Sequence, residues 1–149
     1  MPDPSRRRSA RGRGQALTEF ALVIPIFLLV LSGILDFGFM LYSRMTVINA
    51  AREGARAAVQ AADSTTVPLV AQGRAVSSTI GSGLSLATSQ VAVTCVATKT
   101  PGSCSFASSS SSQPGDSVNV SVDYTYRTFF PLLFGSTFHL VSNVQMVLE

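Results

Sequence analysis

The sequence predicts an α+β protein, in which a long N-terminal transmembrane and stem helix precedes a small domain with a short helix and an antiparallel β-sheet. Hydrophobic residues make up 46% of the 149-residue chain, and many lie in a nearly unbroken apolar run from Phe20 to Tyr42. At about 1.5 Å per helical residue this run crosses a hydrocarbon layer of roughly 30 Å. After Leu84 the hydrophobic spacing changes to two, which is typical of strands.

The basic residues are concentrated at the N-terminus. Five arginines precede Gly14, whereas six basic and seven acidic residues follow it, so the net charge of +3 belongs to the tail. The positive-inside rule then predicts a cytoplasmic N-terminus and an extracytoplasmic remainder. No aromatic residues interleave with the arginines and no binding fold follows them, so we predict no nucleic-acid partner.

Three kinds of targeting segment fit a basic tail before an apolar run. A secretory signal needs small residues after the run, but Asp36 and Phe37 lie there. A twin-arginine signal is suggested by Arg6 and Arg7, but Arg8 follows where an apolar residue is expected. The third kind is a leader removed on the cytoplasmic side, which leaves the span in the product. We therefore predict a basic leader (1–14), a transmembrane and stem helix (15–62) and an extracytoplasmic head (63–149).

Glu19 lies at the edge of the apolar run, where a carboxylate is costly and usually functional. Cleavage after Gly14 would create an ammonium group at Gln15, one helical turn from Glu19. Glycine at the cleavage position would also give a peptidase unhindered access to the backbone. The alternative is that Glu19 only lies among the lipid headgroups and sets the depth of the helix.

Three motifs carry a resemblance to a known family. The Gly14-Gln15 junction, with a glutamate fifth in the product, resembles a type IV prepilin processing site. Together with the segment from Asp36 to Gly38 and the segment from Asn49 to Arg56, this junction makes the chain resemble the TadE-like proteins of the Flp/Tad pilus system. The motif residues beyond the junction are Glu19, Pro25, Asp36, Asn49, Arg52, Glu53, Gly54 and Arg56.

The resemblance implies a pilin-like fold and cleavage by prepilin peptidase between Gly14 and Gln15. It implies that Glu19 of an incoming subunit pairs with the N-terminal amine of its neighbour. The expected partners are the lipid bilayer, other pilins or pseudopilins and the Tad assembly proteins. The expected location is the bacterial inner membrane, with incorporation into a pilus as a further possibility.

Two residues of the span have open interpretations. Pro25 removes a backbone hydrogen bond, so we expect a kink or loosening there. Whether it is a feature of pilin stems or an ordinary membrane-helix proline stays open. For Asp36 we expect a position at the outer membrane interface, with pairing inside an assembly as the alternative.

The helical pattern continues beyond the span, which predicts one helix from about Ala16 to about Ala61. Arg52 and Arg56, four residues apart, share one face of it. Small residues along it leave a groove that another helix can approach closely, at Ala51, Gly54, Ala55 and Ala58. A break near Gly54 is an alternative, as is a helix that merely holds the head clear of the membrane.

The head is predicted from alternating patterns. A short amphipathic helix begins near Pro68 and ends before Gly81. Period-two alternation and strand-forming residues predict three strands, and a serine-rich stretch between the first two predicts a flexible loop. The strands are Val91–Ala97, Val118–Tyr126 and Phe138–Leu148, and the serine-rich loop is 105–115.

A hydrophobic loop at 131–135 contains Leu132, Leu133 and Phe134. We expect these three side chains in the core rather than at a partner surface.

Cys95 and Cys104 are the only cysteines, and in an exported domain this spacing predicts a disulfide. Two cysteines and one histidine fall short of a structural zinc site, and a redox pair is more often Cys-x-x-Cys. We predict no metal and no cofactor.

No catalytic constellation is recognisable in the sequence. His139, the only histidine, is best interpreted as an ordinary exposed strand residue. We therefore predict a minor pilin or pseudopilin rather than an enzyme. The alternative is a single-pass, membrane-anchored binding module that does not polymerise, and removal of the leader distinguishes the two.

Overall fold

The structure is a computed structural model that describes residues 5–61, 64–98, 104–106, 115–131 and 135–148, with side chains from Gly14 onward except at Ser64. Its helices are α1 (Ser5–Val59) and α2 (Val67–Ser78), and its strands are β1 (Val91–Val96), β2 (Ser117–Arg127) and β3 (Thr137–Val147). A long helix followed by a short helix and a three-stranded antiparallel sheet confirms the predicted α+β class.

Helix α1 begins earlier than the sequence pattern predicts. It starts at Ser5 rather than near Ala16, because the arginine-rich tail consists largely of good helix formers. The helix is continuous through Pro25 and through Gly54, so the alternative of a break near Gly54 is wrong. The leader, stem and head boundaries at residues 14 and 62 stay predictions.

Helix α2 matches the predicted short helix. Pro68 lies in its first turn, where the missing N–H costs nothing. At the other end the Thr79 hydroxyl donates to the Val76 carbonyl at 2.8 Å. Gly81 then adopts a φ of +86°, a left-handed conformation that favours glycine and turns the chain toward the sheet.

The sheet has the order β1-β2-β3, with β2 in the centre and antiparallel to both neighbours. The register pairs Cys95 with Val118 in one ladder and Val120 with Val144 in the other. As predicted, the even-numbered residues of β2 face inward. Val118, Val120, Val122 and Tyr126 are buried, and Tyr124 is half-buried.

The core is built from small residues where α1, α2 and β2 meet. Its largest fully buried side chains are valines. Strand β2 runs opposite to α1, so that Val120 lies near Gly54 while Tyr126 lies near Asp36. The head therefore packs along α1 from Asp36 onward, about 35 Å of helix. The core residues on the helices are Val47, Ala50, Ala51, Ala55, Ala58, Val67, Ala71 and Ala75.

Two predictions fall outside the described residues. They are the core position of Leu132, Leu133 and Phe134 and the flexible character of the serine-rich stretch 107–114.

Candidate functional site

The N-terminal half of α1 is the membrane candidate. Between Gly14 and Val59, α1 contains a stretch that is long and apolar enough to cross a bilayer. Its apolar side chains are not covered by other described parts of the chain; Leu22, for example, is 70% exposed. Exposed apolar surface of this extent requires lipid or another apolar partner.

Asp36 is buried where the head meets α1, with only 3% of its surface exposed. The Tyr126 hydroxyl donates to Asp36 Oδ1 at 2.8 Å. The backbone N–H groups of Phe129 and Phe130 point to Oδ1 and Oδ2, each at 3.4 Å. The carboxylate thus joins α1 to the end of β2 and to the chain that leaves it.

These contacts compensate for burial of the acid, because a buried carboxylate is stable only when its oxygens are hydrogen-bonded. They also act on the donor: burial, and then the hydrogen bond to Asp36, raises the pKa of Tyr126 to about 12. Our expectation for Asp36 considered the membrane interface or an assembly and missed this partner in the same chain. The sequence signal was a tyrosine at the last inward position of β2.

The motif residues from Asn49 to Arg56 lie on two faces of α1. One face packs against the head, and the other is exposed and carries Asn49, Arg52 and Arg56, at the helical spacing of three and four. We call these three residues the exposed ridge. The small residues of the buried face are Ala50, Ala51, Gly54 and Ala55.

The predicted groove of small residues is filled by the chain itself. A Cβ atom placed on Gly54 would lie 3.0 Å from the Ala71 carbonyl oxygen and 3.2 Å from the Ala75 Cβ of α2. It would also lie 3.3 Å from Val120 Cγ1. Gly54 therefore allows α2 and β2 to approach α1 together, so the helix that enters the groove is α2.

Glu53 lies between these two faces, half-buried. Its carboxylate is 3.7 Å from the Arg74 guanidinium of α2. Both side chains are substantially exposed, so this ion pair contributes little to stability.

Gly14, Gln15 and Glu19 are all exposed on α1. No atom of a distant part of the described chain lies within 4 Å of a Cβ built on Gly14. The Gly14 carbonyl accepts a hydrogen bond from the Thr18 hydroxyl at 2.8 Å. The predicted cleavage junction is therefore open to another protein but held in helical form, and the roles of these residues stay predictions.

The predicted disulfide joins Cys95 and Cys104, with the two Cα atoms 5.5 Å apart. The Asp116 carboxylate lies near both sulfur atoms. This is not a metal site, because two sulfur atoms bonded to each other are not free thiolate ligands. Asp116 instead accepts a hydrogen bond from the Thr98 N–H at 3.2 Å, which ties the end of β1 to the start of β2.

His139 is exposed on β3, as predicted. Its Nδ1 lies 3.4 Å from Asp123 Oδ1 on the neighbouring strand, and both side chains are more than half exposed. Exposed cross-strand pairs of this kind are common on β-sheets and do not by themselves indicate a catalytic role.

Helix α1 is also the part of the chain that matches a known family. Residues 14–56 match the TadE-like protein family. The match confirms the resemblance inferred from the three motifs. Neither a curated protein nor a solved structure matches the chain.

The TadE-like segment, residues 14–56, lies entirely on α1. It includes Gly14, Glu19, Asp36 and Gly54, and it ends at Arg56 of the exposed ridge. TadE-like proteins are associated with the Tad pilus, and the apolar helix near the N-terminus of this chain is consistent with a single-pass membrane anchor. The sheet that partners Asp36 lies outside the matched residues.

Proposed function

We propose that this protein is a minor pilin or pseudopilin of a Flp/Tad-type pilus. It is anchored in the bacterial inner membrane by α1, with the N-terminus in the cytoplasm and the head outside. The observation that carries the proposal is that the family match coincides with a single continuous helix whose first half is apolar and bare. The family is a pilus component and is not known as an enzyme family, so we propose no catalytic activity.

The distribution of the TadE-like motif supports a role in assembly. The head of the same molecule already covers Ala51, Gly54 and Ala55. Asn49, Arg52 and Arg56 remain exposed, so contacts with the head do not account for them. We assign the exposed ridge to contacts with other stems or with Tad assembly proteins.

The proposed processing step removes residues 1–14 by hydrolysis of the Gly14–Gln15 peptide bond by prepilin peptidase. The new ammonium group at Gln15 and the carboxylate of Glu19 then lie at the membrane boundary as a complementary pair. In an assembly, Glu19 of one subunit binds the amine of its neighbour, and this neutralises both charges before they enter apolar surroundings. A carboxylate without that partner would oppose entry into the filament.

Processing is tested by intact mass analysis of the protein from membranes of cells that express the peptidase. The proposal expects a chain that begins at Gln15, and it expects Gly14→Leu to retain Met1. Ala10→Leu is the matched control within the leader, and it should be processed normally. A wild-type chain that retains its leader would instead favour the non-polymerising membrane-anchored module.

The role of Glu19 is tested separately from processing. Glu19→Ala and Glu19→Gln should both be cleaved but should be incorporated poorly into sheared pilus fractions, because neither carries the charge that pairs with the amine. Thr18→Ala is the neighbouring control and should be incorporated like wild type. Normal incorporation of Glu19→Ala would refute the pairing role.

The exposed ridge is tested with two arginines on α1 and one on the head. Arg52→Ala and Arg56→Ala should reduce assembly without lowering the amount of processed protein in the membrane. Arg74→Ala removes an exposed arginine from α2, outside the ridge, and should assemble normally. Equal loss in all three variants would argue against a specific ridge contact.

A further inference from the structure

The chain that follows β2 carries exposed aromatic side chains at the end of the head nearest the membrane candidate. Phe129 is 67% exposed, Phe130 is 43% exposed, and Phe138 on β3 is 38% exposed. No residue from Thr128 to Phe138 is charged. We call Phe129, Phe130, Pro131 and Phe138 the hairpin tip. Exposed aromatic groups without charge are unusual on a surface that faces only water.

The depth of the hairpin tip follows from its contacts with α1. Phe129 and Phe130 donate backbone hydrogen bonds to Asp36, and the Phe129 ring lies 5.6 Å from the ring of Phe39 between centroids. The tip is therefore at the level of residues 36–39 of α1.

That level lies within the bilayer if the apolar run begins at its inner boundary. Glu19 and the arginine-rich tail place Phe20 at this boundary. From Phe20 to Asp36 the helix rises by about 24 Å, less than the roughly 30 Å of hydrocarbon in a bilayer. Asp36 and Phe39 thus lie in the outer part of the hydrocarbon layer, and so does the hairpin tip that contacts them.

The polar residues next to this level fit the same placement. Tyr42 and Arg44 on α1 are exposed and lie beyond residues 36–39 toward the head. Arg127 on β2 is also exposed, but it pairs with Thr137 next to Phe138 and therefore lies at the upper part of the tip. Tyrosine and arginine are favoured at the headgroup level, where long basic side chains reach the phosphates. Tyr42 and Arg44 therefore mark the water boundary above the level of Phe39, and the long side chain of Arg127 extends toward the same boundary.

An apolar cleft of about 160 Å³ lies between Phe138 of the tip and Phe37 and Met40 of α1. The polar groups in its lining are hydrogen-bonded within the chain, Tyr126 to Asp36 and Thr128 to Gly135, so the cleft suits a lipid acyl chain and not a polar ligand. The lining residues are Asp36, Phe37, Met40, Tyr126, Thr128 and Phe138.

We propose that the hairpin tip inserts into the outer leaflet of the membrane beside α1, as a second membrane contact of the head. The head is then held against the bilayer in one orientation, and the buried Asp36 site lies below the headgroups, sealed by the tip. This inference rests on the membrane anchoring by α1 in the proposed function but not on pilus assembly, so it can fail while the pilin role holds.

The chain contains no tryptophan, which allows a single reporter to be introduced. Phe130→Trp is prepared in the full chain and reconstituted into phosphatidylcholine and phosphatidylglycerol vesicles, with or without bromine atoms on the acyl chains. We expect blue-shifted emission and loss of intensity with lipids brominated near the carbonyl end. Val96→Trp, at the opposite end of the sheet, is the control and should emit like an exposed indole without quenching.

Three outcomes would overturn the proposal. Red-shifted, unquenched emission of Phe130→Trp would place the tip in water. Blue-shifted but unquenched emission would indicate a protein contact in place of lipid. Equal quenching of Phe130→Trp and Val96→Trp would show a head without the fixed orientation. Resistance of both variants to carbonate extraction first establishes that α1 is inserted, and circular dichroism matching wild type establishes that the head is folded.

Discussion

At the scale of single residues, Asp36 explains why an acid is tolerated in an apolar helix. Its carboxylate is almost fully buried but receives one hydroxyl and two backbone N–H groups. Removing a buried charged group from water is costly unless its oxygens are satisfied. The contact is therefore both a requirement of burial and the link that fixes this end of the head on α1.

Substitution of Tyr126 tests this link. Tyr126→Phe removes the shortest hydrogen bond to Asp36 and should lower the free energy of unfolding by about 1–3 kcal/mol, because a buried carboxylate loses a donor. Tyr124→Phe, two residues earlier on β2, is the control and should change stability little. The measurement is chemical denaturation of the full chain in detergent micelles, and equal effects of the two substitutions would contradict the assigned role.

Alkaline titration tests the same contact in another way. Burial, followed by the bond to Asp36, raises the pKa of Tyr126 to about 12 from an ordinary value of 10.0. The stabilisation from protonated Tyr126 is complete below pH 10 and is lost as the pH rises toward 12. The tyrosinate absorbance near 295 nm should show a late step that is absent in Tyr126→Phe. In Asp36→Asn this step should move part of the way down, since the charge of Asp36 is lost while the burial of Tyr126 remains.

At the scale of elements, the fold depends on how closely α2 and β2 approach α1. Gly54 makes this approach possible, because any side chain there would meet the backbone of Ala71 and the side chains of Ala75 and Val120. The neighbouring core residues are alanines and valines. Small side chains permit short interhelical distances but bury little apolar area per residue.

Glycine substitutions separate this packing from helix propensity. Gly54→Ala should destabilise the protein by about 1 kcal/mol, because the clash with the α2 backbone outweighs the gain in helix propensity. Gly73→Ala lies on α2 with open space around it and should instead stabilise by about 0.5–1 kcal/mol. Thermal unfolding followed by circular dichroism measures both. A stabilised Gly54→Ala variant would show that α2 can move away without loss.

The disulfide is the covalent support of the connection between β1 and β2. Cys95 and Cys104 are nine positions apart, and closing a loop of this size contributes about 2–3 kcal/mol on the chain-entropy estimate. Reduction should lower the unfolding midpoint of wild type accordingly. The double variant Cys95→Ser with Cys104→Ser should match the reduced protein and should not respond to reductant. An equal response of both proteins to reductant would contradict the assignment.

At the scale of the whole molecule, the two halves of α1 have different surroundings. Its first half is bare and apolar, whereas its second half is a structural layer of the head, sharing one core with α2 and β2. The head is therefore not a separate body carried on a stem.

Hydrogen exchange tests this shared core. The amides of Ala50, Ala51 and Ala55 on α1 should exchange with about the same opening free energy as those of Val118, Val120 and Val122 on β2, because they open only when the common core opens. In Gly54→Ala both sets should exchange faster together. Separate opening energies would mean that the second half of α1 is stable without the sheet.

Local patterns were enough to predict most of the elements. The apolar run, the proline-led short helix and the period-two strands depend on neighbouring residues, and the positions of α2, β1, β2 and β3 confirm those predictions within a few residues. The disulfide also followed from two cysteines in a predicted exported domain. The predicted start of α1 was less accurate. The helix begins at Ser5 rather than near Ala16, because arginine is a good helix former and the arginine-rich tail continues the helix.

The candidate site was only partly predictable. The motifs from Gly14 to Arg56 carried the TadE-like resemblance, which the family match over residues 14–56 confirms. The sequence alone did not show that the groove near Gly54 is filled by α2. It also did not show that Asp36 meets Tyr126, ninety positions further along the chain. Contacts at such separations depend on how β2 is oriented against α1, and no local pattern records that orientation.

The sequence by itself determined a membrane-capable helix, the elements of the head and the TadE-like resemblance, because hydrophobicity and periodicity act over short distances. Only the tertiary structure decided which residues are in contact within the chain and which are exposed. It placed Asp36 and Gly54 in contacts within the chain, and it left Glu19, the exposed ridge and the aromatic hairpin tip uncovered. The physical reason is that burial depends on the packing of distant segments, whereas each segment's own pattern gives only its capacity to be buried.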